Sequence, residues 1–241
     1  MPRDFFQFKQ FAIRQDCCAM KVGTDGVLLG AWVNVGAAPA PQRLLDVGCG
    51  TGLVAIMLAQ RAPLAQVDAV EIDELAYRQA IQNAADSGWK SRLHFFHRDF
   101  SELAQRSDVR YDLIASNPPY FRRSLLSPNE KRNAARHANE LTHEDLISGS
   151  IRLLAAQGRL AVVLPYVEGN VFIALAAKAG LHCIRKLNVS TKKGKPVKRL
   201  LLELSQERKA LSEQNLYIES NLPSSYTDEY KELTKDFYLK F

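Results

Sequence analysis

Leu45-Asp46-Val47-Gly48-Cys49-Gly50-Thr51-Gly52-Leu53 is the stretch from which the fold is read. The apolar run 44–47 ends in alternating glycines, where a strand must turn sharply and let its backbone approach a ligand that any side chain would obstruct. Residues 53–61 are mostly apolar and suit a helix packed against a sheet, so the unit is strand, turn, helix. A dinucleotide fingerprint would need a third glycine where Leu53 stands, which argues against NAD or FAD.

Outward from this unit the alternation continues. Strands are expected at 66–71, 93–97 and 111–116, with helices at 74–87 and around Glu102 between them. A polar stretch running to residue 139 follows. Then come a helix at 143–154, a strand at 159–164 and a helix at 167–180, and two antiparallel strands, 184–189 and 200–204, joined by a basic turn. The tail 226–241 reads as a final helix. On the N-terminal side, residues 5–15 read as an extended or hairpin-like leader, and Thr24 as the cap of a helix to about Trp32, broken by prolines in 37–42. The fold class is α/β, a doubly wound, mostly parallel sheet with a terminal antiparallel strand pair.

With 241 residues, 46% of them hydrophobic, the chain can bury a full core without metals or disulfides. Cys17, Cys18, Cys49 and Cys183 form no C-x-x-C pair, so reduced thiols are expected and neither zinc nor a disulfide framework. His94 and His97 point to opposite faces of one strand, and no metal is expected. No apolar run could span a bilayer, and the N-terminus lacks the basic stretch and apolar core of a secretory signal, so a cytoplasmic protein is expected, and a monomer. A net charge of +6 favours an anionic partner such as nucleic acid.

Asp46, Gly48, Gly50 and Gly52 make the ligand-binding turn. Glu71, nineteen residues after Gly52, closes the second strand where a carboxylate accepts hydrogen bonds from ribose hydroxyls, and Asp99 follows the third. Asn117-Pro118-Pro119-Tyr120 lies at the end of the fourth strand, at the crevice where open α/β sheets bind ligands. An exocyclic amine is a poor nucleophile because its lone pair is delocalised. Catalysis needs acceptors that hold the amine hydrogens while nitrogen pyramidalises, and the Asn117 amide oxygen and the Pro118 carbonyl are the candidates. Pro118 and Pro119 hold the backbone extended without competing donors, and Tyr120 offers a face for a splayed-out base.

The glycine spacing after a strand ending in Asp46 resembles motif I of the class I methyltransferases that use S-adenosylmethionine. The Asn-Pro-Pro-Tyr sequence resembles that of amino-methyltransferases acting on adenine N6, cytosine N4, guanine N2 or a glutamine amide. The wider match resembles the bacterial tRNA1(Val) (adenine(37)-N6)-methyltransferase family. It is carried by residues 8–11, 18–26 and 28–32, by Asn117-Pro118-Pro119-Tyr120, and by Val163-Leu164-Pro165 and Phe237-Tyr238-Leu239. The resemblance implies S-adenosylmethionine as cofactor and a tRNA adenine as substrate. It implies that Asp99 accepts from the cofactor's adenine amine, and that Lys21 and Thr24 contact the cofactor from a segment closing over it. Residues 1–36 are then a leader and helix over the cofactor site, and 37–241 the methyltransferase domain.

Arg122, Arg123, Lys131, Arg132 and Arg136, just after the catalytic motif, are expected to hold phosphates around an extruded base. A second basic group, Lys192, Lys193, Lys195, Lys198 and Arg199, could do so or be a solvated turn. Three rival readings stay open. A DNA adenine methyltransferase would usually add a recognition domain, for which this chain has no spare hundred residues. A protein glutamine methyltransferase of the release-factor type would carry a separate helical N-terminal domain, whereas about forty residues precede the cofactor strand here. A non-catalytic RNA-binding protein that kept the fold would not need an intact Asn117-Pro118-Pro119-Tyr120.

Overall fold

The computed structural model describes residues 4–18, 20–36, 42–118, 141–222 and 225–241. A hairpin of β1 (Phe5–Gln7) and β2 (Ala12–Arg14) leads to helix α1 (Thr24–Trp32). Then β3 (Arg43–Val47), α2 (Leu53–Arg61), β4 (Gln66–Glu71), α3 (Glu74–Ala85), β5 (Leu93–His97), α4 (Phe100–Arg106) and β6 (Tyr111–Ser116) alternate. After them come α5 (His143–Leu153), β7 (Leu154–Pro165), α6 (Tyr166–Lys178), β8 (His182–Ser190), β9 (Val197–Ser205), β10 (Ser212–Tyr217) and α7 (Asp228–Thr234).

The large sheet has the order β10-β8-β9-β7-β6-β3-β4-β5. Its strands are parallel from β7 through β5, while β9 runs antiparallel to both of its neighbours. The chain winds outward from β3 to β5, then returns to place β6 on the other side of β3. That reversal opens a crevice at the carboxyl ends of β3 and β6.

Side chains alternate across the strands, so each strand supplies both faces. Leu44, Leu113, Ala115, Ala161 and Val163 pack with Val27 and Leu29 of α1 and Ile56 and Met57 of α2. Leu45, Val47, Ile114, Leu160 and Val162 pack on the other face with Phe100, Leu146, Ile147 and Phe172. Residues 26–32 of α1 are all buried, so this helix shares the core of the sheet. A Cβ on Gly30 would stand 2.7 Å from the Met57 sulfur, so the glycine sets how closely α1 and α2 approach. Arg61 donates to the carbonyls of Gly30 and Val33, closing the end of α1. Buried Glu203 holds the chain just beyond it: its Oε1 accepts from the Asn34 amide at 2.7 Å and from Arg185, whose guanidinium lies 4.1 Å over the Trp32 ring.

Several elements differ from the sequence-based expectation. Thr24 does not cap α1: Gly23 occupies the cap position without a side-chain bond, and Thr24 is the first helical residue. β7 begins five residues earlier than expected, at Leu154, with an irregularity where it pairs Tyr111 and Leu113 of β6. The tail is helical only over Asp228–Thr234. β10 was not expected at all. Its residues, Ser-Glu-Gln-Asn-Leu-Tyr, are mostly exposed at the sheet edge, so they carry no apolar alternation to betray a strand.

Candidate active site

Gly48, Gly50 and Gly52 all have positive φ (67°, 53° and 80°), the conformation that lets β3 turn at once into α2. Their surroundings differ. A Cβ on Gly48 or Gly50 would meet nothing within 4 Å, because both face a cavity of about 690 Å³ at the carboxyl ends of the strands. Gly52 does not line that cavity. A Cβ there would press on Ala80 of α3 and Phe95 of β5 at 3.3–3.4 Å, so this glycine lets α3 and β5 pack against the turn.

The wall is acidic. Glu71 Oε2 accepts from the Gly50 amide at 2.8 Å, and its Oε1 accepts from the amides of Ile72 and Asp73 at 2.9 Å. One carboxylate therefore ties the glycine turn to the end of β4 and still presents acceptor capacity at Oε2. Asp46 is buried, with Oδ2 accepting from the Ala55 amide at 2.9 Å, and burial pushes its carboxyl up to about 7. Asp99 lines the cavity and also caps α4, its Oδ1 accepting from the Glu102 amide at 3.0 Å. The Cys18 thiol, between Glu71 and Asp73, is raised by burial and then by those charges to about 11, so it is protonated and inert near neutral pH. Cys49 is pushed up in the same way.

The segment between β2 and α1 roofs the cavity, and Lys21 and Thr24 both line it. Three side chains pin this segment. Gln15 Oε1 accepts from the Val22 amide at 2.8 Å, and Gln79 of α3 donates to Asp16 at 2.7 Å. Asn83 bonds both backbone groups of Arg14 and also the carbonyl of Thr51 in the glycine turn.

Ser116, the last residue of β6, is opposite Val47 and donates to the Val47 carbonyl at 2.8 Å. Asn117 consequently leaves the sheet level with Gly48, and it lines the same cavity. Gly26 of α1 lies against Leu53, where a Cβ would stand 3.2 Å from Cδ2, and within ordinary contact distance of the Asn117 amide. Pro118 is buried beside it and does not line the cavity. Pro119, Tyr120, Arg122, Arg123, Lys131, Arg132 and Arg136 lie outside the described residues.

One pairing in the wall was not foreseen from the sequence. Asp25 and Arg199 both line the cavity and form an ion pair, Nε to Oδ2, at 2.8 Å. Arg199 was grouped with the basic turn, but it is in β9, paired across the sheet with Pro165, and it points inward while Lys198 is exposed. Only the strand's register, hidden in a run of basic residues, could have separated them.

Residues 33–169 match the Methyltransferase small domain family. The chain is 45% identical over 237 residues to the tRNA1(Val) (adenine(37)-N6)-methyltransferase of Histophilus somni, covering 98% of each chain. It is 46% identical to the protein of the same name from Bacteroides fragilis, with 100% of both covered. The chain belongs to the tRNA1(Val) (adenine(37)-N6)-methyltransferase family. Solved structures agree on the fold of this family member. A predicted O-methyltransferase from Agrobacterium tumefaciens superposes with a TM-score of 0.68 at 19% identity, covering 88% of this chain and 96% of that one. A glycopeptide N-methyltransferase complexed with S-adenosylmethionine gives 0.56 at 11% identity, covering 77% and 99%.

The cofactor of this methyltransferase is S-adenosylmethionine, and the cavity fits it. Its volume lies within the roughly 300–1,000 Å³ of small-molecule sites. Asp46, Glu71, Asp73 and Asp99, along the ends of β3, β4 and β5, suit a ligand carrying sulfonium and ammonium charge, while Asp25 is paired with Arg199. Among the described residues, no group of His, Cys, Asp and Glu could hold a metal ion, and no helix is long and apolar enough to cross a membrane.

Proposed function

We propose that the protein methylates N6 of adenine 37 in tRNA1(Val), in the cytoplasm and as a monomer. The observation that carries this is the position of Asn117. It stands just past the end of β6, level with the glycine turn and in the same cavity. Bound beneath residues 16–25, S-adenosylmethionine supplies a methyl group on a cationic sulfur that departs as a neutral thioether. Glu71 Oε2 takes a ribose hydroxyl, Asp99 takes the cofactor's adenine amine, and Lys21 and Thr24 close the site from above. In this reading the segment between β2 and α1 is the roof, while α1 shares the core of the domain that continues through 37–241.

Asn117, in the cavity wall, offers Oδ1 as a hydrogen-bond acceptor to the amine of the target adenine, and the carbonyl of the following residue, Pro118, is the second acceptor. These bonds tighten as nitrogen pyramidalises and its hydrogens become more acidic. The proton leaves after attack, so no group with a specially tuned pKa is required. Tyr120 supplies the stacking face for the flipped base, and Arg122, Arg123, Lys131, Arg132 and Arg136 hold the flanking phosphates.

The test is to incubate the protein with labelled S-adenosylmethionine and, separately, tRNA, DNA and a release factor, then digest and identify the product. N6-methyladenosine from tRNA, lost when adenine 37 is replaced by guanine in the transcript, is the expected result. Label recovered as methylglutamine, or no transfer to any substrate, would overturn the reading.

A further inference from the structure

The sheet order divides the active-site end into two halves. The cofactor wall comes from β3, β4 and β5, on one side of Asn117 at the end of β6. Arg199 lies on the opposite side, on β9, with β7 between it and β6. A cation in that half faces whatever is brought to Asn117, and not the adenosine of the cofactor.

The guanidinium is also set in place. Asp25 accepts from Nε at 2.8 Å and the Lys198 carbonyl accepts from Nη1 at 3.0 Å, which fixes the plane of the donor fork. Its side chain is 32% exposed, so it is held at the mouth and remains within reach of a ligand. Beside it, Pro165 pairs with Arg199 across β7 and β9, and the next residue, Tyr166, is 46% exposed. Lys193 and Lys195 follow outward on the exposed turn, whereas Lys192 is paired with Glu219 and Lys198, in β9, faces the other side of the sheet from Arg199. A fixed guanidinium, an exposed aromatic ring and a trail of lysines are what a single-stranded nucleic acid needs for its phosphates and a stacked base.

We propose that Arg199 binds a phosphate beside the target adenosine, that Asp25 positions it, and that Tyr166 stacks a neighbouring base, making the β9–α6 rim the path along which the RNA strand enters. This rests on the reading of the protein as a tRNA methyltransferase. Lys195 and Lys193 extend the path away from the cavity.

The experiment compares the parent with Arg199→Gln, Arg199→Lys, Asp25→Asn and Tyr166→Ala, measuring kcat and KM for tRNA, tRNA binding across a salt series, S-adenosylmethionine affinity and Tm. Arg199→Gln is expected to raise KM for tRNA about tenfold or more and to flatten the salt slope by about 0.7 for the lost contact, with cofactor affinity within twofold. Arg199→Lys should recover the slope while leaving kcat/KM low, because an ammonium lacks the planar fork. Asp25→Asn should keep the salt slope and lower kcat/KM, and should add little to Arg199→Gln in the double variant. Tyr166→Ala, on an exposed ring whose loss cannot unfold the chain, should raise KM severalfold. Parental KM and salt slope in Arg199→Gln, with only a lower Tm, would make the ion pair a latch between α1 and β9 and overturn the proposal. If Arg199→Gln does not fold, parental KM in Tyr166→Ala overturns it equally. A parent enzyme that neither binds nor methylates tRNA would refute the functional reading itself, a result distinct from either of these.

Discussion

Replacing Asn117 by alanine removes an acceptor whose hydrogen bonds are strongest at the transition state. Asn117→Ala should lower kcat by roughly a hundredfold or more while cofactor affinity stays within a few fold. Steady-state kinetics showing near-normal kcat would reduce Asn117 to a turn residue. Glu71 makes a different demand, because three backbone amides already bond it and one of them belongs to the glycine turn. Glu71→Ala should therefore weaken S-adenosylmethionine by on the order of 2–4 kcal/mol and lower Tm as well. Unchanged affinity by calorimetry would refute the assignment. Asp46 links the site to pH. Burial raises its carboxyl from 3.8 to about 7, so the folded protein binds this proton more tightly than the unfolded chain. Its contribution to stability is accordingly greatest at low pH, falls as pH rises from about 4 through about 7, and is level above. A cationic ligand favours the ionised form, so binding at pH 6 should release a proton, and affinity should strengthen with pH up to about 7. Calorimetry in two buffers of different ionisation enthalpy reads that proton, and identical apparent enthalpies would mean that none is released.

At the scale of elements, Gln66–Glu71 and Tyr111–Ser116 were legible because burial on both faces leaves a nearly continuous apolar signature. The edge strand Leu93–His97 was legible because Leu93, Phe95 and Phe96 are interspersed with exposed histidines. These strands and α2 have the bounds that the sequence suggested. β10 was not legible, because an edge strand with exposed polar side chains is specified by its partner β8 and not by its own pattern. The candidate site followed the same division. Residues attached to the glycine turn and the strand ends could be placed from spacing, and the structure brings Asp46, Gly48, Gly50, Glu71, Asp99 and Asn117 to one cavity. Asp25 and Arg199 are 174 residues apart and meet only through the register of β9 against β7. Contacts between elements also carry a prediction. Gly149 of α5 lies where a Cβ would stand 2.4 Å from the Phe100 ring, and Phe100 lines the cavity. Gly149→Ala should push that ring toward the cofactor, costing about 1–3 kcal/mol of stability by urea unfolding and weakening S-adenosylmethionine severalfold. Lost stability with parental affinity would show that α4 absorbs the shift without passing it to the cavity.

Across the whole molecule, the roof of the active site is anchored by the chain's last residues. Phe8 of the hairpin stacks on Tyr238 at 6.0 Å between centroids, and Tyr238 meets Phe241 edge-on at 5.5 Å. The Lys9 amide donates to the Phe237 carbonyl at 2.8 Å, and its ammonium to the Lys235 carbonyl at 2.6 Å. From the hairpin the path continues through Arg14, held by Asn83, and Gln15, which holds Val22, to the segment carrying Lys21 and Thr24. Removing residues 238–241 should release the hairpin and loosen that segment, while the sheet and Asn117 keep their core. Tm should fall by on the order of 5 °C, S-adenosylmethionine affinity should drop severalfold, and kcat at saturating cofactor should stay near the parent's. Hydrogen exchange should show the change, with amides 15–23 losing protection and those of β3 and β6 keeping theirs. A truncated protein with lower Tm but parental cofactor affinity and parental exchange at 15–23 would show that Gln79 and Asn83 of α3 hold the roof alone.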